Sequence, residues 1–292
     1  NYGSDRLTSA IAIDIANKNT KGVLSNTTVD KIKQSQRHVQ EIINMQRTVY
    51  GINTGFGILA NTSISEEDTR TLQHKILQSH SVGVGEPIPA EVVKLMLITK
   101  VHALAQGYSG VQLITLERIL WHIENDILPV VPEKGSVGAS GDLAPLAHLF
   151  LPLIGLGEVY YKGKRISAAQ MLQNENLAPI TLGPKEGLAL INGTQFILAF
   201  AVKAVQRMHN CLEAADIIGA MTLEALTGTK APFDARLHEL RPFGGSKLVA
   251  QRLRLLLNDS AIMQSHVDCG RVQDPYSLRC MPQVHGASRN AW

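Results

Sequence analysis

The chain has 292 residues, of which 45% are hydrophobic and 18% charged, and its formal net charge is +3. This length is enough for one large domain or two smaller ones with buried cores. The longest basic cluster is KGKR at residues 162–165, so the composition argues against a nucleic-acid partner, which would need a basic stripe. The three cysteines (Cys211, Cys269 and Cys280) are odd in number and unevenly spaced, which favours a reducing cytoplasm over a disulfide framework.

Helical periodicity dominates the predicted elements. Apolar residues at three- and four-residue steps predict helices over residues 92–104 and 113–127. The strand pair that we predict is EVYYKGKRI at residues 158–166, with Lys162 and Gly163 at its turn. Residues 186–227 are apolar over most of the helix circumference, which indicates helices buried on several sides, in a bundle or between subunits. A further amphipathic helix is predicted over residues 247–257.

These elements predict a mainly α fold. We expect a mixed N-terminal domain over residues 1–110 and, over residues 111–292, the first part of a central domain of long helices. The apolar runs at residues 143–156 and 188–205 are interrupted by prolines or polar residues, so we predict no membrane span. The chain stops at GASRNAW without a helix-ending signal, and we therefore expect it to be part of a longer protein whose C-terminal part is absent.

Three glycine-rich stretches combine polar residues with strongly apolar flanks: YGINTGFG at 50–57, KGSVGASGD at 134–142 and LINGTQ at 190–195. They do not fit the phosphate-binding patterns or the G-x-S-x-G elbow of serine hydrolases. A metal site built from His266, Cys269, Cys280 and His285 is disfavoured by the wide spacing of the two cysteines. Structural turns are the ordinary interpretation of such stretches. Here it is weakened, because buried polar groups cost free energy unless they are paired or used.

The backbone of Ala139, Ser140 and Gly141 offers another chemistry. The Gly141 nitrogen can attack the Ala139 carbonyl carbon and close a five-membered ring. Loss of one water from that ring and of a second from the Ser140 side chain leaves a methylidene-imidazolone (MIO), an electrophile that no standard side chain supplies. The loop then opens a predicted helix with Asp142 as its N-cap and Pro145 in the first turn. The residues permit this chemistry, but their spacing alone does not establish it.

The sequence resembles the MIO-dependent aromatic amino acid ammonia-lyases. GSVGASGDLAPLAHL is similar to the family signature, and YGINTGFG, LQSHSVG, KEGLALINGTQ and VQDPYSLRCMPQV resemble further blocks in the family's order. The resemblance covers residues 49–286. It implies a fumarase/aspartase-like bundle, a homotetramer whose active sites are shared between subunits, an amino acid as small-molecule substrate, and no metal or nucleotide. The Ser79-His80 pair and QDPYSLRC are most like the histidine-specific members, which convert L-histidine to trans-urocanate and ammonia.

The resemblance also assigns roles to residues. Ala139, Ser140 and Gly141 would form the MIO, and Asp142 would assist the cyclisation. Tyr50 would remove the β-proton of the substrate, and Asn192 and Tyr276 would hold and polarise the MIO. Arg279 would bind the substrate carboxylate as a planar fork on a planar anion. His80 would line the side-chain pocket, and Gln273 would donate or accept hydrogen bonds near the MIO loop.

Several alternatives stay open at this level. A tyrosine or phenylalanine ammonia-lyase, or an MIO-dependent 2,3-aminomutase, would share every one of these blocks. Either the amine or the aromatic ring of the substrate could be the group that attacks the electrophile. A scaffold fragment that never cyclises the loop is a hypothesis of a different class. Part of the family's pocket lies beyond residue 292, so the sequence leaves the substrate undecided.

Overall fold

The computed structural model of the protein describes residues 1–45, 47–55, 64, 66–138 and 141–292. Within these residues the chain forms fourteen α-helices and five short strands. The helices are α1 Ser9–Ala16, α2 Asn26–Asn44, α3 Glu66–His80, α4 Ala90–Leu104, α5 Leu113–Glu124, α6 Leu143–Phe150, α7 Ala168–Asn174, α8 Glu186–Ile191, α9 Gln195–Ala225, α10 Ala235–Glu239, α11 Gly244–Leu256, α12 Ala261–Ser265, α13 Tyr276–Arg279 and α14 Met281–Ala291. The strands are β1 Val84–Pro87, β2 Leu128–Pro129, β3 Pro132–Lys134, β4 Glu158–Tyr161 and β5 Lys164–Ser167.

The mainly α prediction is confirmed, and the helices expected from apolar periodicity are present as α4, α5 and α11. The predicted helical stretch 186–227 differs in one respect, because it is divided into α8 and α9. Asn192 leaves α8 with an extended backbone (ψ 119°), and Gly193 has a φ of +151°, which side chains with a Cβ rarely adopt. The glycine therefore allows the chain to turn between the two helices.

By length and composition alone, the stretch 186–225 could cross a membrane. The apolar core helix of a globular protein passes the same test. In this protein the stretch is interrupted at residues 192–194, and its first helix carries the buried side chain of Glu186. The stretch is therefore not one continuous apolar helix.

The predicted hairpin is also confirmed. β4 pairs antiparallel with β5, and Lys162 and Gly163 both have positive φ values at the turn, as a two-residue type I′ hairpin requires. β2 adds antiparallel to the other edge of β4, and β1 pairs antiparallel with β3. The strands β1, β2 and β3 were not predicted, because two to four residues are too few for an alternating pattern to stand out.

The chain divides into two compact units, Asn1–Lys203 and Ala204–Trp292. The boundary predicted at residue 110 lies inside the first unit. Residues next to it form hydrogen bonds with segments that lie far before and far after it in the chain. The Gly110 amide donates to Ser35 Oγ at 3.0 Å, and the Gln112 amide donates to Glu186 Oε1 at 2.7 Å. Residues well before and well after position 110 are thereby tied together.

Helix α4 forms the centre of the first unit, where it packs against α1 and α5. Its residues 92–98 are all buried, and the surrounding core is completed by side chains such as Leu116, Ile119, Leu146 and Phe150. Helix α3 packs against both α6 and α8. Gly187 permits the close approach of α8 to α3, because a side-chain carbon at that position would lie 2.5 Å from the Gln73 carbonyl oxygen. The first unit thus brings the start of α6 next to the turn that follows α8.

The second unit is built around α11 and α14, which cross closely. The crossing requires glycine on both helices, because a side-chain carbon at Gly245 would lie 2.1 Å from the Gly286 carbonyl oxygen. Beside it, the fully buried Asp216 carboxylate accepts from Arg252 Nε at 2.8 Å and from an Arg289 nitrogen at 2.6 Å. His285 Nδ1 lies 2.9 Å from the same carboxylate. The buried charge is therefore compensated within the unit.

Candidate active site

The glycine-rich loop at residues 134–142 precedes helix α6 in the first unit. Ala139 and Ser140, which are predicted to form the cofactor, lie outside the described residues. Gly141 and Asp142 are described, and Asp142 stands at the N-cap position of α6 as predicted. Its side chain does not cap that helix, however. The predicted N-cap position is therefore confirmed, but the carboxylate makes no hydrogen bond to α6.

The Asp142 carboxylate instead joins the loop to helix α9. It is fully buried and accepts from Ser136 Oγ at 2.6 Å and from the Ile197 amide at 3.1 Å. Ile197 is the third residue of α9, whose first amide groups have no partner within their own helix. A carboxylate at this end of a helix is also favoured by the helix dipole. Asp142 thus caps a helix that begins more than fifty residues later in the chain.

The turn between α8 and α9 flanks Gly141 on one side. The Gly193 carbonyl accepts from the Asp142 amide at 2.7 Å. A side-chain carbon at Gly141 would lie 3.4 Å from Asn192 Oδ1 and 3.6 Å from the Gly193 carbonyl oxygen. The Asn192 carboxamide, predicted to polarise the cofactor, therefore lies beside the last residue of the predicted Ala-Ser-Gly tripeptide.

Two further polar groups lie at this turn. The side chain of Lys100, on α4, is buried, and its Nζ donates to the Asn192 carbonyl at 2.8 Å. Burial lowers the pKa of Lys100 to about 7. Gln195 folds back over Gly193, and its buried Oε1 has no hydrogen-bond partner among the described residues. Lys100 was not among the site residues predicted from the sequence, although a lysine inside the apolar run of α4 is a signal of a buried polar contact.

Tyr50 lies in a turn that packs against α8. Gly51 has a φ of +76°, and a side-chain carbon there would lie 2.5 Å from Leu188 Cδ2. The turn is held by Asn53, whose Oδ1 accepts from the Val49 amide at 2.9 Å. The Tyr50 side chain is 55% exposed. The end of the predicted YGINTGFG block, at residues 56 and 57, lies outside the described residues.

His80 is the last residue of α3 and is half-buried. Its Nδ1 lies 2.9 Å from the Ile76 carbonyl oxygen and 3.0 Å from Ser79 Oγ, so this nitrogen is engaged within its own helix. Three residues later, the Gly83 amide donates to His148 Nε2 on α6 at 3.0 Å. His148, which the sequence analysis did not single out, thereby connects the chain after His80 to the helix that follows the glycine-rich loop.

The remaining predicted site residues belong to the second unit. Tyr276 and Arg279, at the two ends of α13, line one cavity of about 420 Å³ together with His238 and Arg241. The Tyr276 side chain is 74% exposed. Gln273 lines a different cavity of about 430 Å³. Within this unit, Tyr276 and Arg279 thus line the same cavity, and Gln273 lines another one.

Residues next to Ala139 and Ser140 fit the formation of an MIO group. A side-chain carbon at Gly141 would already be in van der Waals contact with Asn192 Oδ1, at 3.4 Å, so the 192–193 turn lies directly beside the residue that supplies the attacking nitrogen. The Asn192 carboxamide and the orphaned Gln195 Oε1 are polar groups at the same turn. Among the described residues, no group of three histidine, cysteine or acidic side chains is arranged to hold a metal ion. His266 Nε2 instead lies 2.9 Å from the Gly228 carbonyl oxygen.

Comparison with known proteins gives consistent matches. Residues 7–292 match the family profile of the aromatic amino acid lyases. The histidine ammonia-lyase of Myxococcus xanthus is 46% identical over 277 residues, which are 95% of this chain and 54% of that protein. The crystal structure of histidine ammonia-lyase from Trypanosoma cruzi has a TM-score of 0.85 at 38% identity, covering 97% of this chain and 53% of that one.

A tyrosine aminomutase from Streptomyces globisporus is similar as well. Its crystal structure has a TM-score of 0.87 at 30% identity and covers 98% of this chain and 57% of its own. The chain spans about half the length of the relatives that it matches. The family match nevertheless extends over nearly all 292 residues. The chain belongs to the aromatic amino acid lyase family.

Proposed function

We propose that the protein eliminates ammonia from L-histidine to give trans-urocanate, using an MIO group formed from Ala139, Ser140 and Gly141. The observation that carries this proposal is the arrangement around Gly141. The Asn192 carboxamide lies beside it, and the Gly193 carbonyl and the Asp142 amide join the two loops at 2.7 Å. The choice of histidine is supported by relatives that are named histidine ammonia-lyases, of which one is 46% identical.

The residues around Gly141 would prepare the loop for cyclisation. Asp142, buried and held by Ser136 and Ile197, fixes the chain directly after the tripeptide. Asn192 would donate from its amide nitrogen to the oxygen of the closed ring. When formed, the MIO supplies an electrophile that activates the substrate for loss of ammonia.

Tyr50 and His80 would act on the substrate from the first unit. Removal of the weakly acidic β-proton needs a base, and a phenol serves only if its surroundings stabilise the phenolate. The turn that carries Tyr50 packs on α8, the helix that leads to Asn192, which supports a role near the tripeptide. His80 would line the pocket for the substrate side chain, with its Nε2 available because Nδ1 is engaged at Ile76.

Tyr276, Arg279 and Gln273 would contribute from the second unit. The Arg279 guanidinium would bind the substrate carboxylate in a bidentate pair. Its place beside Tyr276 in a cavity of about 420 Å³ supports this role, since a small amino acid would fit such a space. Tyr276 would donate its phenol hydrogen toward the MIO, and Gln273 would supply a hydrogen bond near the loop.

We also propose a cytoplasmic homotetramer with active sites shared between subunits. The cysteines are free, which suits a reducing compartment. Helix α9 exposes large apolar side chains on both parts of its length, for example Ile197 and Phe200 in the first unit and Ile218 and Met221 in the second. Exposed apolar surface of this kind is typical of a subunit interface.

Two measurements on the full-length protein test the proposal. Formation of the MIO removes two waters, so the intact mass should be about 36 Da below that calculated from the sequence. Turnover of L-histidine should release ammonia and urocanate, which is followed by its ultraviolet absorbance. An unshifted mass would support a scaffold role instead.

The substrate alternatives are separated by the products. L-tyrosine and L-phenylalanine, offered in parallel, would give coumarate or cinnamate in an ammonia-lyase of other specificity, and a β-amino acid in an aminomutase. Either result, with no urocanate from histidine, would overturn the proposed substrate while leaving the MIO chemistry in place.

Replacing Ser140 with Ala removes the hydroxyl that leaves as the second water. We expect the S140A variant to keep its fold, since the change adds no bulk, and to lose at least about a thousandfold in turnover, in the range of other deletions of catalytic groups. Circular dichroism serves as the folding control. Unchanged turnover in S140A would contradict the MIO assignment.

A further inference from the structure

Lys100 is an unusual residue for its position. It lies on α4 among buried apolar neighbours, and only 2% of it is exposed. Within the described residues it forms no ion pair, and its Nζ donates to a neutral group, the Asn192 carbonyl, at 2.8 Å. Burying an ammonium group without a carboxylate costs several kcal/mol, on the order of the whole stability of a domain.

A carbonyl acceptor does not by itself require so costly a donor. A serine or threonine hydroxyl, or a water molecule, would satisfy a single carbonyl at a smaller cost. Lys94, on the same helix, shows the ordinary solution, since its buried ammonium pairs with the partly exposed Asp126 carboxylate. The two lysines differ in their partners, because Lys94 pairs with a carboxylate and Lys100 donates to a neutral carbonyl.

The peptide held by Lys100 is connected to Gly141 and Asp142, the last two residues of the glycine-rich loop. Asn192 contributes its carbonyl to Lys100, while its side-chain Oδ1 faces Gly141. The next residue, Gly193, accepts from the Asp142 amide. A shift of the Asn192 carbonyl would therefore move the groups that flank Gly141 and Asp142 together.

We propose that Lys100 is a positioning residue for cofactor formation: its amino group, through the hydrogen bond to the Asn192 carbonyl, holds the 192–194 turn against Gly141 and Asp142 so that the Gly141 nitrogen can reach the Ala139 carbonyl carbon. This inference rests on the proposed function. Lys100 takes no proton and forms no bond in the cyclisation. Its lowered pKa agrees with a position enclosed on all sides.

The test compares Lys100→Met and Lys94→Met in the full-length protein. Methionine approximates the aliphatic part of the lysine side chain and removes the charge and the hydrogen-bond donors. Intact mass reports the fraction of chains that have lost about 36 Da, and thermal unfolding reports the fold. We expect K94M to be cyclised like the wild type. In K100M, displacement of the turn should slow cyclisation by about a hundredfold and leave uncyclised chain after purification.

A second variant keeps the test decisive if K100M does not fold. Lys100→Gln retains an N–H donor on a shorter side chain, and should fold with cyclisation intermediate between K100M and the wild type. Full cyclisation of a folded K100M would overturn the inference, as would failure of both variants to fold, which would assign Lys100 to the core alone. A wild-type protein without the mass loss would instead refute the proposed function.

Discussion

Replacing Asp142 with Ala tests whether this buried carboxylate fastens the cofactor loop to helix α9. The carboxylate accepts from Ser136 Oγ at 2.6 Å and from the Ile197 amide at 3.1 Å. Alanine would leave both donors without this acceptor, and the carboxylate that it removes is itself fully buried. Asparagine has the same shape, and provides a matched control that removes only the charge.

The magnitude follows from the two contacts. A hydrogen bond to a charged group contributes about 1.5–3 kcal/mol, so losing both should lower the free energy of unfolding by about 3–6 kcal/mol. In D142N, the side-chain oxygen can still accept from the Ile197 amide. The Ser136 hydroxyl can rotate to accept from the asparagine nitrogen. With both contacts kept as neutral bonds, which contribute about 0.5–1.5 kcal/mol each, the D142N loss should be about 2–3 kcal/mol.

The assay is urea unfolding of the wild type and both variants, followed by circular dichroism. A double-mutant cycle with Ser136→Ala isolates one contact, and its coupling energy should be about 1.5–3 kcal/mol. A D142N protein as stable as the wild type would show that the carboxylate charge has no special role. A D142A protein within about 1 kcal/mol of the wild type would refute the cap on α9 altogether.

Two further predictions concern stability. Burial lowers the pKa of His122 to about 4. Between pH 6.5 and 4 the unfolded chain therefore binds a proton that the folded chain does not. Acidification over this range should lower the free energy of unfolding by about 3 kcal/mol. In His122→Asn, which can still donate to the Ile127 carbonyl, the free energy of unfolding should change less over that range; identical pH profiles would contradict this. Gly245→Ala should cost about 1–3 kcal/mol in urea unfolding, because the added carbon meets the Gly286 carbonyl oxygen. Gly244→Ala is its control, since a carbon there meets no atom within 4 Å, and equal effects of the two substitutions would refute the crossing argument.

Local sequence patterns predicted the elements that depend on a regular apolar repeat or on a short turn. Helices α4, α5 and α11 follow from apolar spacing, because a helix buries one face at a fixed period. The β4–β5 hairpin follows from Lys162 and Gly163, since a two-residue turn demands positive φ at both positions. The glycine-rich loops and the order of their motifs indicated the family, which the comparisons confirmed.

Other features depend on residues that are distant in the chain and follow no local pattern. Asp142 resembles an N-cap of α6, but its carboxylate caps α9, because the fold brings the Ile197 amide to it. Lys100 was not singled out from the sequence, since its role depends on the Asn192 carbonyl, 92 residues later. Local sequence therefore decided which segments form helices and which form turns. The tertiary structure decided which polar group each buried charge meets, because burial leaves a charge only the partners that packing brings within reach.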